Sequence, residues 1–388
     1  MHYEQITAAL VKKIHLANDL AIKDNPALNF QFMQNICAVA GFYRTFWKKN
    51  FFPIIAELLH MQQHIDDRII ANAMKLRYQD CPEIACQLLQ QHLPPDRQTG
   101  YARYLAAELL REQGKRDAAR QLCRQLQQEY PHLDEVESCL AMCDVDELFN
   151  CRHDYYRLLH HAHALLKPDT YVEIGVASGK SLALTRSGTR AIGIDPSASS
   201  AEALFYRSLE VTPTLFATTS DDFFNTQDLP DLLGRPTFSL AFIDGHHSFE
   251  QALSDFINLE KWASPSSVIF IHDCLPVNAQ VAARERTTKF WCGDVWRIIP
   301  CLKELRPDLQ ITTFPAAPSG LAMVTGLNPV SETLARNLHS GFCRFLATPL
   351  PDSYTARCSL LNVHPGDPLT GITEQCARLP RPRRHHAV

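Results

Sequence analysis

Four side chains that can exchange protons or bind cations follow two short apolar segments in the second half of the chain. They are Asp244, His247, His272 and Asp273. The apolar runs before them are typical of buried strands. In an open α/β sheet, the carboxyl ends of parallel strands line the crevice in which ligands bind. We therefore expect these four side chains to converge on one site.

An earlier loop has the composition of a cofactor-binding turn. The apolar run from Tyr171 reaches Glu173, and Gly175 and Gly179 follow. A second apolar run ends in Asp195, about 20 residues after Glu173, a spacing at which a carboxylate can bind ribose hydroxyls. This order predicts a strand, a turn, a helical segment and a second strand around a nucleoside-like cofactor.

Two other cofactor classes have to be weighed for this loop. A phosphate-binding P-loop would need glycine where the chain has Ile174. A dinucleotide loop, Gly-x-Gly-x-x-Gly, would need a third glycine that is lacking here. The spacing from Glu173 to Asp195 is compatible with more than one nucleoside cofactor. The strands later in the chain therefore have to distinguish between these cofactors.

From Thr170 onward, short apolar runs alternate with amphipathic segments, which predicts a doubly wound α/β sheet. The seven expected strands are Tyr171–Ile174, Ala191–Ile194, Thr214–Ala217, Leu240–Ile243, Val268–Ile271, Ile311–Phe314 and Leu321–Val324. Only Pro315–Gly320 separates the last two. Because a parallel crossover needs a dozen or more residues, these two strands should form an antiparallel hairpin.

These features together resemble class I S-adenosylmethionine (SAM) methyltransferases. The Glu173-x-Gly175-x-x-x-Gly179 pattern looks like their first motif. An antiparallel last strand is typical of their Rossmann-like sheet, and nicotinamide-binding Rossmann domains lack it. Asp244-Gly-x-His247, with His-Asp after the next strand, is similar to the subgroup called methyltransferase domain 24 and to metal-dependent O-methyltransferases that act on macrolide sugars.

The resemblance covers roughly residues 150–330 and implies SAM as the cofactor. The cofactor-binding positions that it implies are Glu173, Gly175, Gly179, Asp195, Ser220 and Asp221. The glycines would let the backbone approach the methionine part, and Asp195 would bind the ribose hydroxyls. Ser220 and Asp221 would lie at the adenine edge.

The same resemblance implies His247 as the catalytic base, together with Asp244 and Asp273. In the metal-dependent relatives an acidic pair follows the fifth strand, but here its first member is His272. The implied metal ligands are therefore Asp244, His272 and Asp273. Mg²⁺ prefers oxygen ligands, so Mn²⁺, Fe or Zn suits this set at least as well, and a site without metal stays open.

The implied reaction is methylation of a hydroxyl on a sugar, glycan precursor or natural product. Such a hydroxyl is a very weak acid and needs a base, a metal or both. The long connection from Pro276 to Trp296, which includes Arg284 and Trp291, is interpreted as a substrate lid. Two alternatives stay open: a protein or N-methyltransferase that docks its substrate on a helical domain, and a non-catalytic SAM-binding scaffold.

Three domains are expected: residues 1–148, which are helical, the methyltransferase domain 149–330, and residues 331–388, a helix followed by a flexible tail. In the first, Ala73 and Ala85 recur after 34 residues as Ala107 and Ala119, which resembles a tetratricopeptide repeat. Such repeats would offer a surface for a protein partner or for self-association.

Composition and charge narrow the binding partners and the cellular location that the sequence predicts. The 388 residues carry a net charge of −4, which gives no general attraction to nucleic acid or to anionic membranes. The sequence has neither an apolar run of membrane-spanning length nor a signal pattern at Met1. Its 13 cysteines include no Cys-x-x-Cys pair, so a reducing cytoplasm is the expected location.

Overall fold

The structure is a computed structural model of the chain. It describes residues 73, 82–92, 100–133, 135–151, 153–177, 179–197, 212–288, 290–337 and 343–380. Contacts divide the chain into two units, of which the first ends at Leu109 and the second begins at Leu110.

The described part of the first unit is helical. Helix α1 spans Pro82–His92, and helix α2, Gly100–Glu112, begins in this unit. Ala73, Ala85 and Ala107 are fully buried, as small residues at helix crossings would be. Most of the predicted first repeat, including Leu76, lies outside the described residues, so the tetratricopeptide-like repeat stays a prediction.

Three helices precede the sheet in the second unit. They are α3 Arg116–Glu129, α4 Glu135–Phe149 and α5 Tyr155–Leu166. Arg120 of α3 reaches Asp144 and Glu147 of α4, which ties these two helices together. Helix α5 begins where the Asp154 carboxylate accepts the backbone N–H of Arg157, an N-cap that satisfies one free donor of the first turn.

The sheet has seven strands, as the sequence predicts. They are β1 Thr170–Ile174, β2 Arg190–Ile194, β3 Thr214–Phe216, β4 Leu240–Ile243, β5 Val268–His272, β6 Gln310–Phe314 and β7 Leu321–Thr325. Their order is β3-β2-β1-β4-β5-β7-β6. Strands β1 to β5 are parallel, and β7 runs antiparallel to both β5 and β6, which confirms the predicted final hairpin.

Helices cover both faces of the sheet, which explains why the central strands are apolar throughout. The helices after β3 are α6 Ser220–Thr226, α7 Leu229–Leu233, α8 Phe249–Glu260, α9 Ile298–Leu305, α10 Thr333–Arg336, α11 Tyr354–Leu360 and α12 Pro368–Arg378. Helices α5 and α12 contribute to the core on one face, and α8 and α9 to the core on the other. Among the described helices, none combines the length and the apolar character that a membrane crossing requires.

The part of the chain for which the sequence predicts a helix and a flexible tail includes packed segments. Residues 343–380 are packed: Leu361 and Ile372 are fully buried, and Val363 forms a bridge with Thr313 next to β6. The buried Arg357 donates to the carbonyl of Pro276 at 2.9 Å. Short helices and prolines left too little periodicity in the sequence to predict this packing. The basic end of the tail, residues 381–388, lies outside the described residues.

Candidate active site

The loop after β1 depends on glycine at Gly175. This residue has φ +86°, and a Cβ on it would lie 1.9 Å from the backbone oxygen of Asp244. Only glycine therefore allows the loops after β1 and β4 to meet. Gly179 also has a positive φ, +77°, which turns the chain toward the short helix Leu182–Leu184.

Asp195 joins the ends of β1 and β2. Its Oδ2 accepts the backbone N–H groups of Val176 at 2.9 Å and Ala177 at 2.8 Å, and its Oδ1 accepts that of Ser197 at 2.7 Å. Asp195 is only half-buried, and Ala177 beside it is exposed. The carboxylate thus lies at the open carboxyl edge of the sheet, where the sequence predicts a ribose site.

Glu173 lies beneath the β1 loop and not on its surface. Its side chain is fully buried and accepts hydrogen bonds from the hydroxyls of Tyr171 and Ser181, each at 2.6 Å. Burial raises the pKa of Glu173 to about 8, although both hydroxyls oppose that shift. Its contacts hold the loop to the strand, so any effect on a cofactor passes through the loop backbone.

Ser220 and Asp221 lie at the start of α6, just after β3. The Gln251 amide donates to the side chains of both residues at 3.1 Å, which ties this edge of the sheet to α8. The same amide donates to Oδ1 of Asp255 at 3.1 Å. Asp255 is buried, burial raises its pKa to about 6, and its Oδ2 has no hydrogen-bond partner among the residues that the structure describes.

Asp244, His247 and Asp273 meet at the ends of β4 and β5. One potential ligand atom from each lies within 4.8 Å of the others. Nδ1 of His247 is 2.6 Å from Oδ2 of Asp273. His247 and Asp273 both have a positive φ, 57° and 61°, an unfavourable conformation for residues with a side chain. These left-handed turns bring both side chains to the same edge.

His272 lies between the two carboxylates. Its Nδ1 is 3.0 Å from Oδ1 of Asp244 and 3.3 Å from Oδ1 of Asp273. Burial alone would lower the pKa of His272, but the two carboxylates raise it to about 9. The imidazole is therefore charged at neutral pH and occupies a position where a cation balances both aspartates.

Asp273 and His247 also shift toward their charged forms. Burial would raise the pKa of Asp273, but His272 and His247 hold it below its usual range. Burial would lower the pKa of His247, but the Asp273 carboxylate raises it. The structure thus brings together Asp244, His247, His272 and Asp273, as expected from the strand ends.

Three residues near this cluster were not assigned to it from the sequence. Tyr155, the first residue of α5, packs against His272 with the rings tilted by 34° and their centres 4.0 Å apart. Ser319, in the β6–β7 hairpin, donates a short hydrogen bond to Asp273. The Trp291 indole lies nearly parallel to the His247 ring, with ring centres 5.3 Å apart. Only Trp291 had a sequence signal, because it lies in the long connection after β5.

The predicted lid segment has specific internal contacts. Arg284 is committed to Glu250 and Asp294, so it is not a spare cation for an acidic acceptor. Trp296 is buried, and only Trp291 of the two tryptophans is partly exposed. Lys289 lies outside the described residues.

A small cavity of about 10 Å³ lies at the cluster, lined by Asp244, Asp255, His247, His272 and Asp273 among others. This volume accommodates about one water molecule or ion. The potential ligand atoms that lie within 4.8 Å of one another belong to Asp244, His247 and Asp273, so in this group His247 takes the place that the sequence predicts for His272. A divalent cation held by two aspartates and a histidine would have ligand distances of about 2.0–2.2 Å, which this spacing allows. The residues therefore fit a metal, and their mixed oxygen and nitrogen donors favour Mn²⁺ or Zn²⁺ as much as Mg²⁺.

A family model described as "Methyltransferase domain" (Methyltransf_24) matches residues 172–274. Over these residues the chain is therefore similar to a methyltransferase domain. The match begins in β1, ends just after β5, and includes every predicted site residue named above. No curated protein matches the chain.

Solved structures with similarity to this chain include a putative O-methyltransferase from Klebsiella pneumoniae, with 15% identity, 48% of this chain and 89% of that chain covered, and a TM-score of 0.36. A second is the O-methyltransferase TomG from Streptomyces achromogenes, involved in tomaymycin synthesis, in complex with SAM. It is 18% identical, the match covers 48% of this chain and 88% of TomG, and the TM-score is 0.36. An O-methyltransferase from Bacillus cereus in complex with SAH has 15% identity, coverage of 48% and 90%, and a TM-score of 0.35. Similarity of this degree says nothing about the acceptor.

Proposed function

We propose that this protein is a SAM-dependent methyltransferase that acts on a hydroxyl of a sugar, glycan precursor or natural product. The observation that carries the proposal is that one segment of the chain contains both parts of the candidate site. The segment that matches the methyltransferase family, residues 172–274, contains both the β1–β2 edge with Asp195 and the Asp244–His247–His272–Asp273 cluster.

The β1–β2 edge has the features that a nucleoside cofactor requires. Gly175 and Gly179 permit a tight loop, and Asp195 offers a half-exposed carboxylate next to backbone that is exposed at Ala177. Ser220 and Asp221 continue the same edge. When bound, SAM supplies a methyl group that is already activated by its positive sulfur, so the protein's part is alignment and removal of a proton.

His247 is the proposed base. Because Nδ1 of its ring faces Asp273 at 2.6 Å, Nε2 is the nitrogen that can accept a proton from an acceptor hydroxyl. Asp273 fixes the ring orientation and stabilises the charge that develops on it, as an aspartate does for histidine in hydrolase triads. Ser319 and His272 hold Asp273 in turn.

Asp244, His272 and Asp273 are the proposed ligands of a divalent cation, Mg²⁺ or Mn²⁺. Such a cation would supply Lewis-acid polarisation of the acceptor oxygen. His272 first has to lose its proton to act as a ligand, so its charge competes with metal binding. The protonated His272 already balances the charge of both aspartates without a metal. Turnover measured with and without added metal therefore decides whether the reaction depends on one.

Calorimetric titration of the full chain with SAM, its demethylated product and NAD, with and without Mn²⁺, tests the cofactor. We expect micromolar binding of SAM and its product, weakened at least about tenfold in Asp195→Asn. Asp367→Asn is the control, because Asp367 is an exposed carboxylate that also accepts a backbone N–H, at the start of α12.

Absence of SAM binding under every metal condition would refute the proposal. SAM binding without turnover on any hydroxyl acceptor would favour a protein or N-methyltransferase, or a scaffold that only binds SAM. In those cases the search for an acceptor would move to protein partners of residues 1–148, which the sequence predicts to be helical.

A further inference from the structure

A buried carboxylate outside the reacting cluster connects three segments around His247. Asp294 is fully buried, just before the short helix Val295–Arg297. It accepts the backbone N–H of Phe249, the first residue of α8, at 2.9 Å. It also pairs with Arg284 at 2.7 Å. The only other described cation near it is Arg297, whose Nε lies 3.5 Å away.

Residues just before Asp294 touch His247 directly. Gly293 has φ +61°, and a Cβ on it would lie 1.8 Å from the carbonyl oxygen of His247. The Trp291 ring stacks on the His247 ring. The segment that ends at Asp294 therefore contacts both the backbone and the side chain of the proposed base.

Arg284 links Asp294 to Glu250 of α8. Its two terminal nitrogens each lie 3.0 Å from an oxygen of Glu250 in the first turn of α8, while one of them also donates to Asp294. His247 lies only two residues before Phe249. The start of α8, just after His247, and the segment from Arg284 to Asp294 are thus tied together by two contacts.

We propose that Asp294 is a positioning residue that holds His247 and Trp291 in place for methyl transfer. It does so by fixing the start of α8 and, through Arg284, the segment that carries Trp291. This inference rests on the proposed role of His247 as the base. Asp294 itself touches no reacting atom.

The test compares Asp294→Asn with Glu260→Gln. In Asp294→Asn the amide oxygen can still accept the Phe249 N–H, but its NH₂ group cannot pair with Arg284. Glu260 is a matched control at the far end of α8, since it too is buried, pairs with an arginine, Arg306, at 2.6 Å, and accepts a backbone N–H, that of Asn328.

Hydrogen–deuterium exchange of the full chain is the first readout. We expect faster exchange across residues 244–250 and 284–294 in Asp294→Asn, and no change there in Glu260→Gln. Unchanged exchange across 244–250 in Asp294→Asn would overturn the proposal. This readout does not depend on turnover, so it distinguishes failure of the positioning role from failure of the proposed reaction.

Kinetics provide the second readout. We expect kcat to fall about 10- to 100-fold in Asp294→Asn with SAM affinity unchanged, because small displacements of a catalytic group cost rates of this size. The double variant with His247→Gln should be no slower than His247→Gln alone, since Asp294 acts through that ring. Independent, multiplicative losses in the double variant would overturn the proposal. If His247→Gln keeps full turnover, the base assignment fails and the exchange result alone decides the positioning role.

Discussion

Nδ1 of His272 lies 3.0 Å from Oδ1 of Asp244, in a buried position that joins the ends of two neighbouring strands. The same nitrogen is 3.3 Å from Oδ1 of Asp273. Because the pKa of His272 is raised to about 9, this contact is an ion pair at neutral pH. A protein cation therefore occupies the position where an acidic residue in this pattern would bind metal.

Replacing His272 with aspartate should strengthen metal binding. The change removes a positive charge and adds an oxygen ligand, so we expect Mn²⁺ and Mg²⁺ to bind at least about tenfold more tightly. Calorimetry with each metal measures the effect, and His272→Asn, of equal size but uncharged, is the control. Equal Mn²⁺ affinity in the wild type and His272→Asp would mean that His272 is itself a good ligand.

Loss of the His247 ring should abolish most turnover and spare cofactor binding. For His247→Gln we expect kcat to fall about 10²- to 10⁴-fold, the usual contribution of a general base, with SAM affinity within about twofold of the wild type. His161→Gln is the control, because His161 lies on α5 and contacts Thr373 of α12. A small change in kcat for His247→Gln would assign the proton transfer to another group.

The pH dependence of turnover should follow His247 as well. The base acts only when its ring is neutral, and Asp273 raises its pKa. We therefore expect kcat/KM to rise with pH through a pKa above the ordinary histidine value of about 6.5. Asp273→Asn should move that transition to lower pH, because the carboxylate that stabilises the charged ring is gone. A pH profile that is identical in both proteins would contradict this interpretation.

Glu173 should make the fold less stable as pH rises. The folded protein keeps the Glu173 proton up to about pH 8, whereas the unfolded chain loses it near pH 4.5. Between these values the unfolded state binds one proton fewer, so this group lowers the free energy of unfolding by about 1.4 kcal/mol per pH unit. Glu173→Gln has no such proton to lose. The difference in unfolding free energy between the wild type and Glu173→Gln, measured by urea titration from pH 5 to 9, should change up to about pH 8 and then level off.

Gly175, just after β1, and Gly188, just before β2, distinguish the backbone strain caused by a side chain from the cost of a steric clash. Both have a positive φ, +86° and +90°, but a Cβ on Gly188 meets nothing within 4 Å. Gly188→Ala should therefore cost only about 1 kcal/mol of backbone strain. Gly175→Ala adds a clash with Asp244 and should cost about 3 kcal/mol in the same urea titration. Equal costs would mean that the β1 and β4 loops can separate freely.

The sequence by itself determined the sheet and the set of residues at its carboxyl edge. Strand order along the chain, the short connection Pro315–Gly320 and the polar residues after each apolar run were sufficient. The reason is local: strands of this length show their apolar runs directly, and parallel strands end at one edge. The side chains of Asp244, His247, His272 and Asp273 converge for that reason.

Only the tertiary structure decided what each of these side chains contacts. Ser319 reaches Asp273, Tyr155 packs against His272, and Asp294 caps α8, although each pair is far apart in the chain. Such contacts depend on how separate loops pack over the sheet edge, and no spacing in the sequence encodes them. The same holds for Glu173: its place in the motif was evident, but its burial beneath the loop follows from the side chains that cover it.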